Sequence, residues 1–378
     1  MILEILWTAF LIAATIQFVY LLFIFGRLSF FPPPVASVDS EEVVAEGVSI
    51  VVAARNELKN LKKLLPLLAA QQYPKFEILI VNDRSTDGTP SYLRKMMNLY
   101  PNLRTVTIKY TPEHVTGKKY ALTLGIKVAK YDIILLTDAD CIPASPHWVQ
   151  RMTLPLRLDR DKQIVLGYGS YTKQRGLLNR LIQFETLLTA VQYQSFALWK
   201  APFMGVGRNL AYRKNFFLEK KGFRGHWHIN GGDDDLLVNR YANSQNAAVV
   251  IHPDSITVSM PKNNWKEFFT QKIRHFHAGK YYKFSSKLKL GLYAFSHLLF
   301  WISGIFLLFT CSGWEPIAII LGLVVSRALS QVFVLNGAKK KLEGQGNVAW
   351  MMFFDFLHLG YFWIIGTKGH LSKKIKWK

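Results

Sequence analysis

The chain has 378 residues, half of them hydrophobic, and a formal net charge of +22, with a mean hydropathy of +0.12. It is too apolar for an ordinary soluble enzyme and too charged for membrane helices alone, which predicts one sizeable soluble domain joined to membrane segments. Nucleic acid or anionic lipid would suit so basic a chain, and the membrane segments favour lipid. Only two cysteines are present, Cys141 and Cys311, so we expect no disulfide and a reducing compartment.

The chain begins with a predicted membrane anchor. Residues 5–25 carry no charge and are long enough to span a bilayer. Glu4 precedes this segment and Arg27 follows it, a pattern unlike that of a cleaved signal peptide. We therefore expect a retained anchor over 1–27, with the next domain on the cytoplasmic side. Residues 28–47 are rich in proline and then acidic, which is typical of a linker.

Residues 48–287 alternate between apolar strands and helical stretches. The predicted strands cover 48–54, 76–83, 103–110, 132–140, 163–169 and 247–253. Continuous apolar strands separated by helices predict an α/β domain with a mostly parallel sheet, covered on both faces. The amphipathic, aromatic stretch 171–203 is expected to be either a packed domain helix or a helix in the membrane interface.

The C-terminal region, 288–367, is predicted to hold membrane segments at 289–310, 315–336 and 348–366. Asp355 and His358 interrupt the last of these. If it crossed the membrane, the basic tail 368–378 would lie outside, against the positive-inside rule. A re-entrant or interfacial segment is therefore favoured over a span. This arrangement predicts a multi-pass protein of the cell membrane with a cytoplasmic catalytic domain.

A buried strand delivers two carboxylates, Asp138 and Asp140, to its tip. Ligands of parallel sheets bind beyond the carboxyl ends of the strands, and Asp83 follows another strand in the same way. Carboxylates suit a divalent metal, and a nearby lysine, Lys118, suits a diphosphate. The same spacing at 159–161 follows no strand and is flanked by basic residues, which is typical of a solvated face.

Several motifs occur in one order along the chain. They are VVAARNE (51–57), VNDRSTDGT (81–89), GKKYAL (117–122), TDADC (137–141), GGDDDLLVNR (231–240) and QKIRHF (271–276). Together they make residues 48–285 resemble membrane-bound glycosyltransferases of family 2, a group that includes ceramide glucosyltransferases and polysaccharide synthases. The resemblance implies a Rossmann-like GT-A fold.

The resemblance also implies a donor site for a nucleotide sugar. Asp83 would meet the uracil, and Lys118 would lie near the diphosphate. The implied donor-binding residues are Ala54, Asn56, Glu57, Asp83, Lys118, Asp138 and Gln271. Asp138 and Asp140 would hold Mn²⁺ or Mg²⁺.

The implied catalytic residues lie in the last two motifs. Counting back from Arg240 places the general base at Asp234, with Asp233 and Asp235 as rivals, and Arg274 would contact the pyrophosphate. Close like charges should raise the pKa of at least one of these carboxyls. The implied acceptor-site residues are Gly207, Arg208, Asn209 and His275. Many polymerising members have tryptophan where this chain has His275, which argues against polymerisation.

The leading hypothesis is an inverting sugar transfer from a nucleotide sugar, most simply UDP-linked, to a lipid-linked or glycan acceptor at the cytoplasmic membrane face. Its expected partners are that donor, that acceptor and membrane lipids, without nucleic acid. One alternative is a processive polysaccharide synthase, favoured by Gln271 and Arg274. Another is an inactive membrane scaffold, although the key carboxylates are all present.

Overall fold

The computed structural model describes residues 1–32, 46–344 and 349–372. Its strands are β1 (Val48–Ala54), β2 (Phe76–Asp83), β3 (Leu103–Ile108), β4 (Ile133–Leu136), β5 (Cys141–Pro143), β6 (Ile164–Leu166), β7 (Gly169–Tyr171), β8 (Leu210–Arg213), β9 (Ala247–Val249) and β10 (Thr257–Ser259). Within these residues the main sheet has the order β3-β2-β1-β4-β8-β6-β9. Only β8 runs antiparallel to its neighbours. The predicted α/β class and mostly parallel sheet are confirmed.

The six predicted strands correspond to β1–β4, β6 and β9, and β8 was not predicted. β8 consists of four residues directly after Gly207, Arg208 and Asn209, which the resemblance assigned to the acceptor site. It lies between β4 and β6. A second, small sheet joins β10 to β5 and β7, directly beyond the strand tip that carries Asp138 and Asp140.

Helices cover both faces of the main sheet. They are α3 (Leu58–Ala69), α4 (Thr89–Leu99), α5 (Gly117–Val128), α6 (Trp148–Leu158), α7 (Leu177–Leu198), α8 (Lys214–Glu219), α9 (Asp235–Tyr241) and α10 (Trp265–Gly279). Alternate residues of a strand point to opposite faces, so β1 contributes to two cores. Val48, Ile50 and Val52 pack in one core, and Val51 packs in the other.

The first helix and two of the last helices are long and apolar. α1 (Ile2–Phe18), a π-helical stretch (Val19–Phe25) and α2 (Gly26–Phe30) form one continuous helix. Together with α11 (Phe284–Thr310) and α12 (Trp314–Lys341), it has the length and composition to cross a membrane, and the described residues contain three such helices. These helices indicate membrane association. Their bounds extend beyond the predicted segments, and residues 33–45 of the predicted linker lie outside the described part of the chain.

The last helix, α13 (Ala349–Leu371), continues through Asp355 and His358, where the sequence predicted an interruption. Asp355 is only 3% exposed, and its buried charge is paired with Arg327 of α12 at 2.8 Å. His297 of α11 lies 3.1 Å from the same carboxylate, and Gln17 of α1 accepts a hydrogen bond from Arg327 at 3.0 Å. These buried polar groups therefore connect all four helices.

Both ends of α13 contact the soluble domain. At its start, the guanidinium of Arg180 on α7 lies 4.6 Å from the ring centroid of Trp350. Beyond its end, the Ser372 carbonyl accepts a hydrogen bond from Lys280 at 2.8 Å. α13 therefore contacts the same domain at both ends, and the interfacial or re-entrant segment stays a prediction. Residues 373–378 of the basic tail are not described.

Candidate active site

The loop after β4 brings together groups that fit a metal ion. Ligand atoms of Asp138, Asp140 and Cys141 all lie within 4.8 Å of one another. Burial and the neighbouring carboxylates raise the pKa of the Cys141 thiol well above its usual value, so the thiol stays protonated. The two aspartates are therefore the ligands suited to a hard divalent cation such as Mn²⁺ or Mg²⁺.

Lys118 connects this loop to the acidic segment before α9. Its ammonium group lies 2.8 Å from a carboxylate oxygen of Asp138 and 2.8 Å from one of Asp233. The lysine is in the first turn of α5, directly after Gly117. A Cβ atom at Gly117 would lie 2.7 Å from an oxygen of Asp83, so glycine is required for this close approach. One edge of the sheet thus brings together the end of β2, the start of α5 and the loop after β4.

The loops after β1 and β2 hold each other in place. The Asn56 backbone N–H donates to Ser85 Oγ at 2.9 Å, and the Asn56 side-chain oxygen accepts from the Thr86 N–H at 2.8 Å. Arg84 donates to both oxygens of Asp83, at 2.7 and 3.2 Å. In this structure Asn56 and Asp83 are thus bound to neighbouring loop residues.

Glu57 and Ala54 complete the predicted donor residues at the end of β1. Burial raises the pKa of Glu57, and the charges of Asp140 and Asp138 raise it further. The Glu57 carboxyl is therefore near enough to the loop after β4 to respond to its charges. Ala54 is the last residue of β1 and is buried.

The three consecutive aspartates have different environments. Burial raises the pKa of Asp233, but the ion pair with Lys118 outweighs burial and leaves the pKa lowered. Burial and the charge of Asp233 raise the pKa of Asp234. Burial and the charge of Asp234 raise the pKa of Asp235 to about 8, and Tyr282 donates a hydrogen bond to it at 2.8 Å. Asp234 is the least buried of the three, since the other two are less than 9% exposed.

Asp234 is fixed by two backbone donors. One of its oxygens accepts from the Asp235 N–H at 2.8 Å, which caps the start of α9. The other accepts from the Gly207 N–H at 2.6 Å. The structure thus places Gly207, predicted for the acceptor site, directly against the predicted base.

Arg208 and Asn209 follow Gly207 but occupy different places. The Arg208 guanidinium lies 4.4 Å from the ring centroid of Tyr171 and donates to Ser259 Oγ at 3.2 Å. Asn209 is fully buried, and its side chain accepts from the indole N–H of Trp148 at 3.0 Å. It also donates to two backbone carbonyls, so its side chain is used within the scaffold.

Helix α10 carries the remaining predicted residues. The Gln271 amide donates to the hydroxyl of Tyr171 at 3.3 Å. A Cβ atom at Gly231, just before the acidic segment, would lie 3.7 Å from Cγ of Arg274. His275 is on the same helix and is accessible to solvent. α10 therefore lies against the acidic segment.

A cavity of about 700 Å³ joins these groups. Its lining includes the predicted residues Lys118, Asp138, Gly207, Arg208, Asp233, Asp234, Gln271, Arg274 and His275. The remaining walls come from α7, α11 and α13, including His297 and Trp363. The cavity therefore extends from the carboxylates into the region of the apolar helices. Ala54, Asn56, Glu57, Asp83, Asp140 and Asn209 are not among its lining residues.

Several contacts in and near the cavity have no signal in the sequence. Tyr282, which hydrogen-bonds Asp235, is 47 positions away from it. Lys272 of α10 and Glu185 of α7 form an ion pair in the cavity wall, although 87 residues separate them. Lys119, next to Lys118, donates to the carbonyls of His226 and Ile229, and burial lowers its pKa to about 8. Each of these pairings depends on tertiary contacts between distant segments.

The chain is similar to known glycosyltransferases. The family model "Glycosyl transferase family 2" matches residues 49–219. The "Probable glycosyltransferase YdaM" of Bacillus subtilis is 27% identical over 239 residues, which cover 62% of this chain and 55% of that protein. A poly-beta-1,6-N-acetyl-D-glucosamine synthase of Staphylococcus aureus is 30% identical over 168 residues, covering 41% of this chain and 40% of that protein. This chain thus spans about half the length, or less, of these relatives.

A solved structure shows the same fold. It is the mannosyltransferase PcManGT from Pyrobaculum calidifontis, in complex with GDP-Man and Mn²⁺, which superposes with a TM-score of 0.60 at 18% sequence identity. The superposition covers 99% of this chain and 100% of that one. The mostly parallel sheet, the ordered motifs and the matched family model agree. Residues 49–219 of the chain thus match glycosyltransferase family 2, and the chain has the GT-A fold.

Proposed function

We propose that this protein is an inverting glycosyltransferase that moves a sugar from a nucleotide sugar to a lipid-linked or glycan acceptor at the cytoplasmic membrane face. The proposed donor is a UDP-linked sugar. The observation that carries the proposal is the cavity of about 700 Å³, which connects Asp138 and Asp234 with walls formed by α11 and α13. An acceptor held among these helices would present its hydroxyl to the carboxylates.

Asp138 and Asp140 would hold the divalent cation. Their oxygens are hard ligands and lie close enough together to share one ion, which fits Mn²⁺ or Mg²⁺. A bound cation supplies positive charge for the diphosphate of the donor. Lys118 is already paired with Asp138 and Asp233, and we expect it to exchange part of this contact for diphosphate oxygens. Arg274 would stabilise the same leaving group from α10.

Asp234 is the proposed general base. Two backbone N–H groups fix its carboxylate, and its raised pKa increases its basicity. It takes the proton from the acceptor hydroxyl, and the acceptor oxygen forms a bond to the anomeric carbon. The bond from that carbon to the diphosphate oxygen breaks on the opposite side, and the nucleoside diphosphate leaves with the bonding electrons. Attack from the opposite side inverts the anomeric configuration.

A processive polysaccharide synthase is the second candidate. It is favoured by the similarity to the poly-beta-1,6-N-acetyl-D-glucosamine synthase and by Gln271 within the cavity lining. A single-transfer enzyme and a synthase share the donor chemistry and differ in product length. The same assay therefore separates them.

The test is product analysis in membranes. Membranes that contain the full chain are incubated with a panel of UDP- and GDP-linked sugars and Mn²⁺, and lipid-soluble and polymeric products are identified by mass spectrometry. We expect one donor to give a lipid-soluble product that carries one added sugar. Membranes with the Asp234→Asn variant are the matched control. A polymer ladder would favour the synthase, and nucleotide-sugar binding without turnover of any donor would refute the enzyme proposal.

A further inference from the structure

A second groove, of about 390 Å³, lies on the side of α11 that faces away from the active-site cavity. Leu290 and Tyr293 of α11 line the cavity, whereas Leu288, Lys289 and Leu292 line the groove. The opposite wall is the π-helical stretch after α1. α11 is therefore a wall shared by two separate spaces.

The π-helical stretch coincides with the groove. Val19, Tyr20, Phe23 and Ile24 line the groove, and all four belong to the seven-residue π-helix Val19–Phe25. Such stretches are rare and frequently occur at functional sites. The hydroxyl of Tyr20 donates to the Lys289 carbonyl at 2.7 Å, which fastens the π-helical wall to α11.

The groove combines apolar walls with positive charge. Phe23 is 70% exposed and Leu288 is 59% exposed, and both belong to helices that are long and apolar enough to cross a membrane. Arg27 and Lys289 supply two cations, and the described lining residues include no carboxylate. The Lys289 ammonium lies 5.8 Å from the ring centroid of Trp199. Tryptophan, lysine and arginine together are typical of the headgroup level of a bilayer.

We propose that this groove binds one anionic phospholipid. An acyl chain would lie along Phe23, Leu288 and Leu292, and the phosphate would contact Arg27 and Lys289. The two cations match a lipid with a net negative charge, and a zwitterionic headgroup would bring its own cation into the same place. The proposal depends on the membrane association of the helices and not on the proposed sugar transfer.

Native mass spectrometry of the full chain tests the proposal. Protein extracted in mild detergent is mixed with equal amounts of phosphatidylglycerol and phosphatidylcholine, and the retained lipid is counted. We expect one phosphatidylglycerol per chain in preference to phosphatidylcholine. The double variant Arg27→Gln with Lys289→Gln should lose this preference, by about fivefold in affinity for each cation removed.

Two further variants make the result specific. Lys339→Gln with Lys340→Gln removes the same charge from the end of α12, outside the groove lining, and should keep the preference for phosphatidylglycerol. Leu292→Trp fills the apolar part of the groove and keeps both cations, and it should reduce the amount of lipid retained per chain. Equal losses in the two charge variants, unchanged binding in the Arg27/Lys289 and Leu292 variants, or displacement of the lipid by soluble glycerol phosphate would overturn the proposal.

Discussion

The three neighbouring aspartates before α9 should respond differently to the same amide substitution. Asp234→Asn replaces one of two oxygens that accept backbone N–H groups from Gly207 and Asp235. An amide nitrogen cannot accept, so one N–H loses its partner at a cost of about 1–3 kcal/mol in the free energy of unfolding. Loss of the general base should lower kcat by about two to four orders of magnitude. A domain with about 5–15 kcal/mol of stability stays folded after such a loss, so local destabilisation does not account for the fall in kcat.

The two neighbours serve as matched controls. Burial raises the pKa of Asp235 to about 8, so it is mostly protonated at neutral pH. An asparagine can still accept from the Leu236 N–H, and its amide nitrogen can donate to the Tyr282 hydroxyl. We expect Asp235→Asn to stay within about tenfold of wild-type kcat, less than 1.4 kcal/mol in the activation barrier. Asp233→Asn removes one partner of Lys118, which should strengthen the contact of this lysine with Asp138 and raise the donor KM.

The assay is steady-state release of nucleoside diphosphate at varied donor and acceptor concentrations, with thermal unfolding measured on the same samples. A base acts on the acceptor proton, so Asp234→Asn should lower kcat with little change in donor KM. If Asp234→Asn keeps near wild-type kcat while one neighbouring amide is inactive, the base is that neighbour. If all three amides stay active, the acidic segment is not catalytic and the proposed mechanism fails.

Other predictions concern the metal, the topology and the buried ion pair. Asp140→Asn should abolish turnover and weaken Mn²⁺ binding measured by calorimetry, since an amide removes the charge that holds the cation; full activity of this variant in EDTA would contradict the metal role. In a Cys311→Ser background, Ser372→Cys should resist an impermeant thiol reagent in intact cells and react after lysis, whereas labelling of intact cells would show that α13 crosses the membrane. Arg327→Met leaves Asp355 buried without its cation and should lower the free energy of unfolding by about 3–5 kcal/mol. The double variant with Asp355→Leu should recover most of that loss in thermal unfolding, and a double variant as unstable as the single one would refute the pairing argument.

The sequence predicted those parts of the fold that have a local signal. β1 and β2 have the predicted bounds because continuous apolar runs end there in polar residues. β8 was missed because its four residues, LAYR, are too short to show a period. Its pairing with β4 and β6 is decided by long-range contacts, which a single sequence does not display.

The same distinction between local signals and long-range contacts applies to the candidate site. Asp138, Asp233 and Lys118 were selected from motifs, and the structure brings both carboxylates within hydrogen-bond distance of the Lys118 ammonium group. The sequence showed no reason for Tyr282 to contact Asp235, because that contact depends on how the chain after α10 returns to the acidic segment. The role of Asp355 was also hidden, since its partner Arg327 lies on another helix.

The ion pair between Arg327 and Asp355 has a consequence for how the protein is made. Arg327 precedes Asp355 by 28 residues, so α12 is synthesised before the partner carboxylate. An arginine near the middle of an inserting helix costs about 2.5–3.5 kcal/mol. Besides Asp355, the described contacts of this cation are the side-chain oxygens of Gln17 and Gln331 and the ring of Phe300. Chains that stop before Asp355 therefore keep an arginine without its carboxylate partner among the apolar helices, and we expect them to be less stable than complete chains.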